Sequence, residues 1–300
     1  MDAKTLQARL LELIRRTSCE LPPDMIRAVD KARRKEKKGT TARYALDVMT
    51  DNIKLAGELS QPLCQDTGTI ICYVDRPLWL RESVFAKAFE KAIVEATQKG
   101  YLRQNSVDSI TGKNSGDNLG PGSPVLHFHE TTAKSATVRL MLKGGGCENV
   151  GIQYTLPDVG LGAGRDLAGV RRCVLDAVHR AQGKGCGPGV LGVCVGGDRG
   201  TGTMAAKEQF FRTLDDENPD KTLAKLEKQL LKEANSLGIG PMGFGGETTL
   251  FGVKMTARNR VPASFFVTVS YMCWSYRRNG VTLSEAGRVG RWIYDDGSKR

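Results

Sequence analysis

The sequence predicts an α+β fold, with a helical N-terminal lead-in and further helices packed around an antiparallel β-sheet. Three observations carry that prediction. Apolar residues recur at helical spacing through most of the first 60 residues. Short runs rich in β-branched or alternating residues follow, bounded by turn residues. Glycine-rich segments punctuate the chain wherever one of these patterns gives way to the other. The 300 residues divide into a helical lead-in (1–60), a core (61–275) and a polar, basic tail (276–300) that either docks on a partner or frays, all within one domain.

The lead-in opens with Leu6, Leu10, Leu13 and Ile14 at helical intervals over residues 2–16. Pro22-Pro23-Asp24 then starts a second helix carrying Met25, Ile26 and Val29, and a third covers 42–59. Beyond Cys64-Gln65-Asp66-Thr67-Gly68, the apolar run from Ile70 to Val74 reads as a strand. Residues 83–100 form a helix with Phe85, Phe89, Ile93 and Ala96 on one side and Gly100 at its end. Residues 125–130 and 136–142 both alternate and read as an antiparallel pair, which places His127 and His129 on one strand face. Helices follow at 167–180 and 219–237, with strands at 191–195, 250–255 and 264–270.

Composition narrows the function classes. Forty per cent apolar and 26 per cent charged residues describe a soluble globular chain. No apolar stretch approaches membrane-spanning length, and the start lacks the apolar region of a secretion signal, so the expected compartment is the cytoplasm. The net charge of +11 suits nucleic acid, an acidic membrane surface or small anionic substrates. Its densest run, residues 31–38, reads as a solvated helix face. Aromatics at 6 per cent leave no interleaved stacking platform, so an RNA-binding module ranks well below an enzyme. The run Gly160-Leu161-Gly162-Ala163-Gly164 has the wrong spacing for a dinucleotide fingerprint. The loop 240–249 lacks the lysine of a phosphate loop and carries Glu247 instead.

Eight cysteines without the spacing of a disulfide scaffold suit a reducing compartment. Cys19, Cys72, Cys173 and Cys194 stand among apolar or helical neighbours and read as buried small hydrophobes. Cys64, Cys186 and Cys273 are different, because each lies at a junction between a strand and a loop, the first in a polar cluster, the second among glycines and the third after a β-branched run. Around Cys64, an amide, a carboxylate and a hydroxyl suit either an ordinary side-chain-capped turn or a thiolate ligand beside an acid/base.

Six segments in order, Cys64-Gln65-Asp66-Thr67-Gly68, Tyr101-Leu102-Arg103, Lys143-Gly144-Gly145-Gly146, Gly185-Cys186-Gly187-Pro188, Leu237-Gly238-Ile239-Gly240-Pro241 and Cys273-Trp274, resemble the iron-sulfur hydro-lyases. That family comprises class I fumarate hydratases and L-tartrate dehydratases, and the likeness is to their alpha subunit or N-terminal half. The resemblance implies a 4Fe-4S cluster held by Cys64, Cys186 and Cys273, with one iron left open as a Lewis acid. It further implies Asp66 as acid/base, with Gln65 and Arg103 on substrate carboxylates and amides of Lys143, Gly144, Gly145 and Gly146 offered to an anion. It implies an oligomer and a beta subunit or C-terminal domain that completes the site.

Fumarate and malate are the expected substrates, with L-tartrate the alternative on account of Cys147-Glu148 and the segment 273–278. Cys147 opens a reading from another class. As a fourth thiolate it would close the cluster and make an electron-transfer or regulatory protein, although many relatives carry serine there. Many fumarase relatives also have lysine where Glu247 stands.

Overall fold

The computed structural model describes residues 1–297, and the tail end Ser298-Lys299-Arg300 lies outside the described residues. The chain gathers into two compact units, one made of Met1–Pro23, Asp51–Gly145 and the segment from Arg277 onward, the other of Asp24–Thr50 and Gly146–Tyr276.

The first unit is built on a five-stranded sheet in the order β2-β1-β3-β8-β9, formed by β1 (Thr69–Arg76), β2 (Val125–Glu130), β3 (Ala136–Lys143), β8 (Arg278–Leu283) and β9 (Val289–Trp292). Helices α1 (Ala3–Cys19) and α4 (Glu82–Gln98) pack on it. Their helical-period residues Leu6, Leu10, Leu13, Phe85, Phe89 and Ile93 meet the alternate strand residues Cys72, Val74, Val138, Leu140, Val281 and Leu283 in one buried cluster. Asp2 caps α1, its carboxylate accepting from the Thr5 amide at 2.8 Å.

Two sequence expectations are corrected here. Strands β2 and β3 do not pair with each other. β1 lies between them, parallel to β2 and antiparallel to β3, because the α4 crossover returns the chain to the sheet in the same direction. His127 accordingly stacks on Tyr73 of β1, ring centroids 4.4 Å apart, and His129 lies 3.5 Å from Asp75. Nor is the tail a fraying end. Its residues 278–283 form the fourth strand of the sheet and 289–292 the edge strand.

The second unit holds a four-stranded sheet, β4-β7-β5-β6, made of β4 (Ile152–Thr155), β5 (Gly189–Gly196), β6 (Leu250–Arg258) and β7 (Phe266–Met272). β5 is parallel to β6 and antiparallel to β7, so both sheets are mixed rather than antiparallel. Every residue of β5 is buried, which matches its uninterrupted apolar run. Helices α6 (Leu167–Ala181), α7 (Arg199–Glu208) and α8 (Lys221–Ser236) pack against this sheet.

Part of the basic run at 31–38 is used internally. Arg33 pairs with Asp47 at 2.5 Å. The buried Glu36 carboxylate accepts the main-chain amides of Glu247 and Thr248 at 2.9 and 3.0 Å. Arg33, Arg34 and Lys35 also end helix α2 (Pro23–Lys35), where positive charge favours the helix dipole. Among the described residues no helix is long and apolar enough to cross a membrane.

Candidate active site

In the first unit, sheet register brings three chain segments to one end of the sheet. Thr69, at the start of β1, is opposite Lys143, at the end of β3. On the other side of β3, Met141 is opposite Arg278, the first residue of β8. The loop 61–68, the glycines after Lys143 and Arg277 therefore meet. Loop 61–68 is fixed at its base, where the Leu63 amide donates to the Ser18 carbonyl at 3.0 Å and Asn52 donates to the Leu63 carbonyl at 2.9 Å. Gly68 has φ +83°, and a Cβ there would stand 2.6 Å from the Lys143 carbonyl carbon, so only glycine lets the two strands' ends approach so closely.

Asp66 is held by hydrogen bonds on both its side chain and its main chain. Its Oδ2 accepts from the Gly145 amide at 2.7 Å, and its carbonyl accepts from Arg277 Nη1 at 2.6 Å. Gly144 fits between these groups, since a Cβ there would be 3.0 Å from Asp66 Oδ2 and 3.4 Å from Arg277 Nη2. Lys143 is buried, whereas Gln65 and Gly145 face a cleft of 720 Å³. Arg103 is exposed on the loop beside it.

That loop is tied to the Asp66 loop by two asparagines. Asn118, buried and left-handed at φ +65°, donates to the Arg103 carbonyl at 2.8 Å and accepts the Asn105 amide at 2.7 Å. In the orientation that matches donors to acceptors, the Asn105 side-chain carbonyl accepts from the Thr67 and Gly68 amides at 2.7 and 3.2 Å.

The second unit holds Gly146, Cys186 and Cys273. Cys186 sits in the left-handed region (φ 53°, ψ 56°) in the turn before β5, and Cys273 directly follows β7. A hydrogen bond of 3.1 Å from the Trp274 amide to the Cys186 carbonyl joins the two segments. Beneath them lies the buried ring of Tyr271, paired with Leu191 in the sheet. A Cβ on Gly185 would stand 2.6 Å from that ring, and one on Gly187 would be 3.1 Å from the hydroxyl. The glycines flanking Cys186 thus let the turn lie on the tyrosine. Burial above all, then the neighbouring Cys273, Cys147 and Cys186, pushes the Tyr271 phenol up and keeps it neutral. Cys147 is buried with its Sγ 4.0 Å from Met272 Sδ.

The cysteines sort by environment. Cys19, Cys72, Cys173 and Cys194 are buried, as their neighbours predict, and burial pushes the thiols of Cys19, Cys173 and Cys194 up to about 11. A thiol must lose its proton to bind metal, so these are poor ligands. Cys64 and Cys186 alone among the eight are partly exposed. Among the described residues no three Cys, His, Asp or Glu side chains stand assembled around one metal position. The donor set nevertheless suits an iron-sulfur cluster chemically. Cys64 and Cys186 are partly exposed, and Cys273, buried at the end of β7, precedes the Trp274 amide that bonds the Cys186 turn; all three offer soft thiol donors.

Sequence reasoning did not single out Arg277, Asn105, Asn118 or Tyr271. Asn118 ends the run Thr111-Gly112-Lys113-Asn114-Ser115-Gly116-Asp117-Asn118, whose turn-rich composition marks a loop and gives no sign of a role. Arg277 and Arg278 read as the start of a basic tail. Their burial, at 1% and 0% exposure, comes from β8 entering the sheet.

Comparison with known proteins identifies relatives along most of the chain. The family model for fumarate hydratase (Fumerase) matches residues 7–282. A Geobacillus stearothermophilus protein provisionally assigned as a class I fumarate hydratase is 51% identical over 296 residues, which is 97% of this chain and 58% of that protein. A Methanocaldococcus jannaschii protein provisionally assigned as an L(+)-tartrate dehydratase alpha subunit is 32% identical, over 90% of this chain and 94% of its own length. The L(+)-tartrate dehydratase alpha subunit of Escherichia coli K12 is 30% identical, over 87% of this chain and 85% of its own. The chain thus spans little more than half of the Geobacillus relative and most of the two alpha subunits.

Proposed function

Because the chain belongs to the fumarate hydratase (Fumerase) family, we propose that it is the cluster-bearing half of a class I hydro-lyase that interconverts fumarate and malate in the cytoplasm. A complementary beta subunit or domain supplies the remaining substrate contacts, within a larger oligomer. The observation that carries this reading is the Asp66 carboxylate, held at 2.7 Å by the Gly145 amide at the mouth of the cleft.

Cys64, Cys186 and Cys273 would hold a 4Fe-4S cluster, which when bound would supply Lewis-acid polarisation of the substrate hydroxyl. The chain's own residues do the rest. In the dehydration direction Asp66 takes a proton from the carbon beside the hydroxyl-bearing one, and in hydration it returns that proton. The Gly145 hydrogen bond holds one carboxylate oxygen still, so that the other meets the substrate carbon in a fixed orientation. Gln65 and Arg103, on the two loops that Asn105 and Asn118 tie together, bind the substrate carboxylates. With the Gly145 amide taken up by Asp66, the Lys143 to Gly146 turn would offer its other main-chain amides to the same anion.

The test is anaerobic reconstitution with the complementary half and assay on fumarate, malate and L-tartrate. Fumarate hydration is expected, and Asp66→Asn should lower kcat at least about 100-fold, the scale of a lost general base. Robust tartrate turnover without malate turnover would overturn the substrate assignment. That second reading has one observation in its favour: the chain matches nearly the full length of two tartrate dehydratase alpha subunits.

A further inference from the structure

We propose that Arg277 is a positioning residue for Asp66, a buried cation that fixes the acid/base loop against the glycine turn. The proposal rests on the assignment of Asp66 above. Arg277 is 1% exposed, and among the described residues it forms no ion pair with a carboxylate. Its Nη1 donates to the Asp66 main-chain carbonyl at 2.6 Å, while its buried Nε has no hydrogen-bond partner.

A neutral amide side chain would satisfy a single carbonyl as well. Burying a guanidinium without a carboxylate partner is costly, and that cost is offset where negative charge stands close by. The Asp66 carboxylate supplies such a charge beside Gly144, where a Cβ would stand 3.0 Å from its Oδ2 and 3.4 Å from Arg277 Nη2. The absent Gly144 side chain explains how both fit, because a Cβ would press on Asp66 Oδ2 and Arg277 Nη2 together. The backbone of Arg277 is itself anchored, its carbonyl accepting the Leu142 amide at 3.0 Å in continuation of the β3–β8 ladder. Arg277 therefore transmits the register of the central strands to the Asp66 loop, and the Gly145–Asp66 hydrogen bond is the contact that reports it.

Two variants and two readouts test this in the reconstituted enzyme. Arg277→Lys keeps the charge and loses the planar fork, and Arg277→Gln keeps a donor and loses the charge. Each is expected to lower kcat about 10- to 100-fold with the fumarate KM changed less than about twofold, the pattern of a displaced reacting group. Each should also speed hydrogen exchange of the Gly145 amide about tenfold while the β5 amides, 189–196, exchange as in the wild type.

Unchanged kcat and unchanged Gly145 exchange would overturn the proposal. A raised KM at constant kcat would make Arg277 a substrate ligand instead, and uniformly faster exchange in both variants would make it a fold-supporting residue only. A wild-type enzyme without fumarate turnover would refute the hydratase assignment alone, since the exchange measurement needs no substrate.

Discussion

Replacing Gly185 by alanine puts a methyl group where the Tyr271 ring already is. Its Cβ would lie 2.6, 2.9 and 3.0 Å from three ring atoms. Ordinary carbon contacts lie near 3.5–4.0 Å, so the turn and the ring must separate by about 1 Å. Tyr271 cannot swing aside, because it is 3% exposed and stands within the β5–β7 pairing. The displacement therefore falls on the turn, and Cys186 is the next residue. Overpacking of this kind costs about 1–3 kcal/mol.

Urea denaturation of the metal-free chain gives the stability change, and iron and sulfide content after anaerobic reconstitution gives the effect on the cysteine. Gly185→Ala should lose about 1–3 kcal/mol and fall well below wild-type iron content. Gly57→Ala is the control. That glycine lies in helix α3 (Thr41–Leu59) with open space where its Cβ would stand, so alanine should add up to about 1 kcal/mol. A Gly185→Ala protein within about 0.5 kcal/mol of wild type that loads iron fully would refute the packing of the Cys186 turn on Tyr271.

Three further outcomes follow from the same geometry. Cys147→Ser should retain cluster absorbance and hydratase turnover, because Cys147 packs against Met272; loss of the cluster would instead identify a fourth ligand and favour the electron-transfer class. Alkylation of the metal-free chain at pH 8, followed by peptide mass spectrometry, should label Cys64 and Cys186 first and Cys19, Cys173 and Cys194 last, since burial pushes the latter three thiols to about 11. Asp216 should govern part of the acid limb of stability. Burial works against its ionisation, but hydrogen bonds from Arg212 and Lys254 outweigh that and hold the carboxyl below its ordinary value. A depressed pKa means stabilisation that is complete above the unfolded-state value of about 3.9 and lost as pH falls through the folded-state value. Denaturation midpoints between pH 6 and pH 3 should therefore fall less steeply in Asp216→Asn than in wild type.

The elements legible in the sequence are those whose own residues carry a period. Leu6, Leu10, Leu13 and Ile14 predict α1, and Leu223, Leu226, Leu230 and Leu231 predict α8; all but the half-buried Leu231 are buried in the structure. The helix that escaped, α7, begins Arg199-Gly200-Thr201-Gly202-Thr203, where glycine and threonine depress helix propensity. It forms because the Asp198 carboxylate caps the Gly200 and Thr201 amides at 2.8 and 3.0 Å, and because the helix packs over β5 at Gly192, where any side chain would meet the Ala206 carbonyl. The pairing of β2 and β3 failed for a related reason. Alternation says which face a residue takes, but says nothing about which strand lies alongside.

The same division runs through the site. Asp66 and Gly145 stand in local motifs, and the structure joins them through a 2.7 Å bond. Arg277 has no local signature, because what makes it important is the partner strand: Met141 opposite Arg278 and Thr69 opposite Lys143 are facts of register. A one-residue slip of β8 against β3 would turn Arg277 to the other face of the sheet and leave the Asp66 carbonyl without its donor. What specifies the position of Asp66 is therefore the apolar alternation of Val281 and Leu283, which locks that register from inside the core. Replacing Val281 with aspartate should consequently loosen the Asp66 loop as well as the core, and its effect on Gly145 exchange should exceed that of any substitution in the exposed part of the cleft.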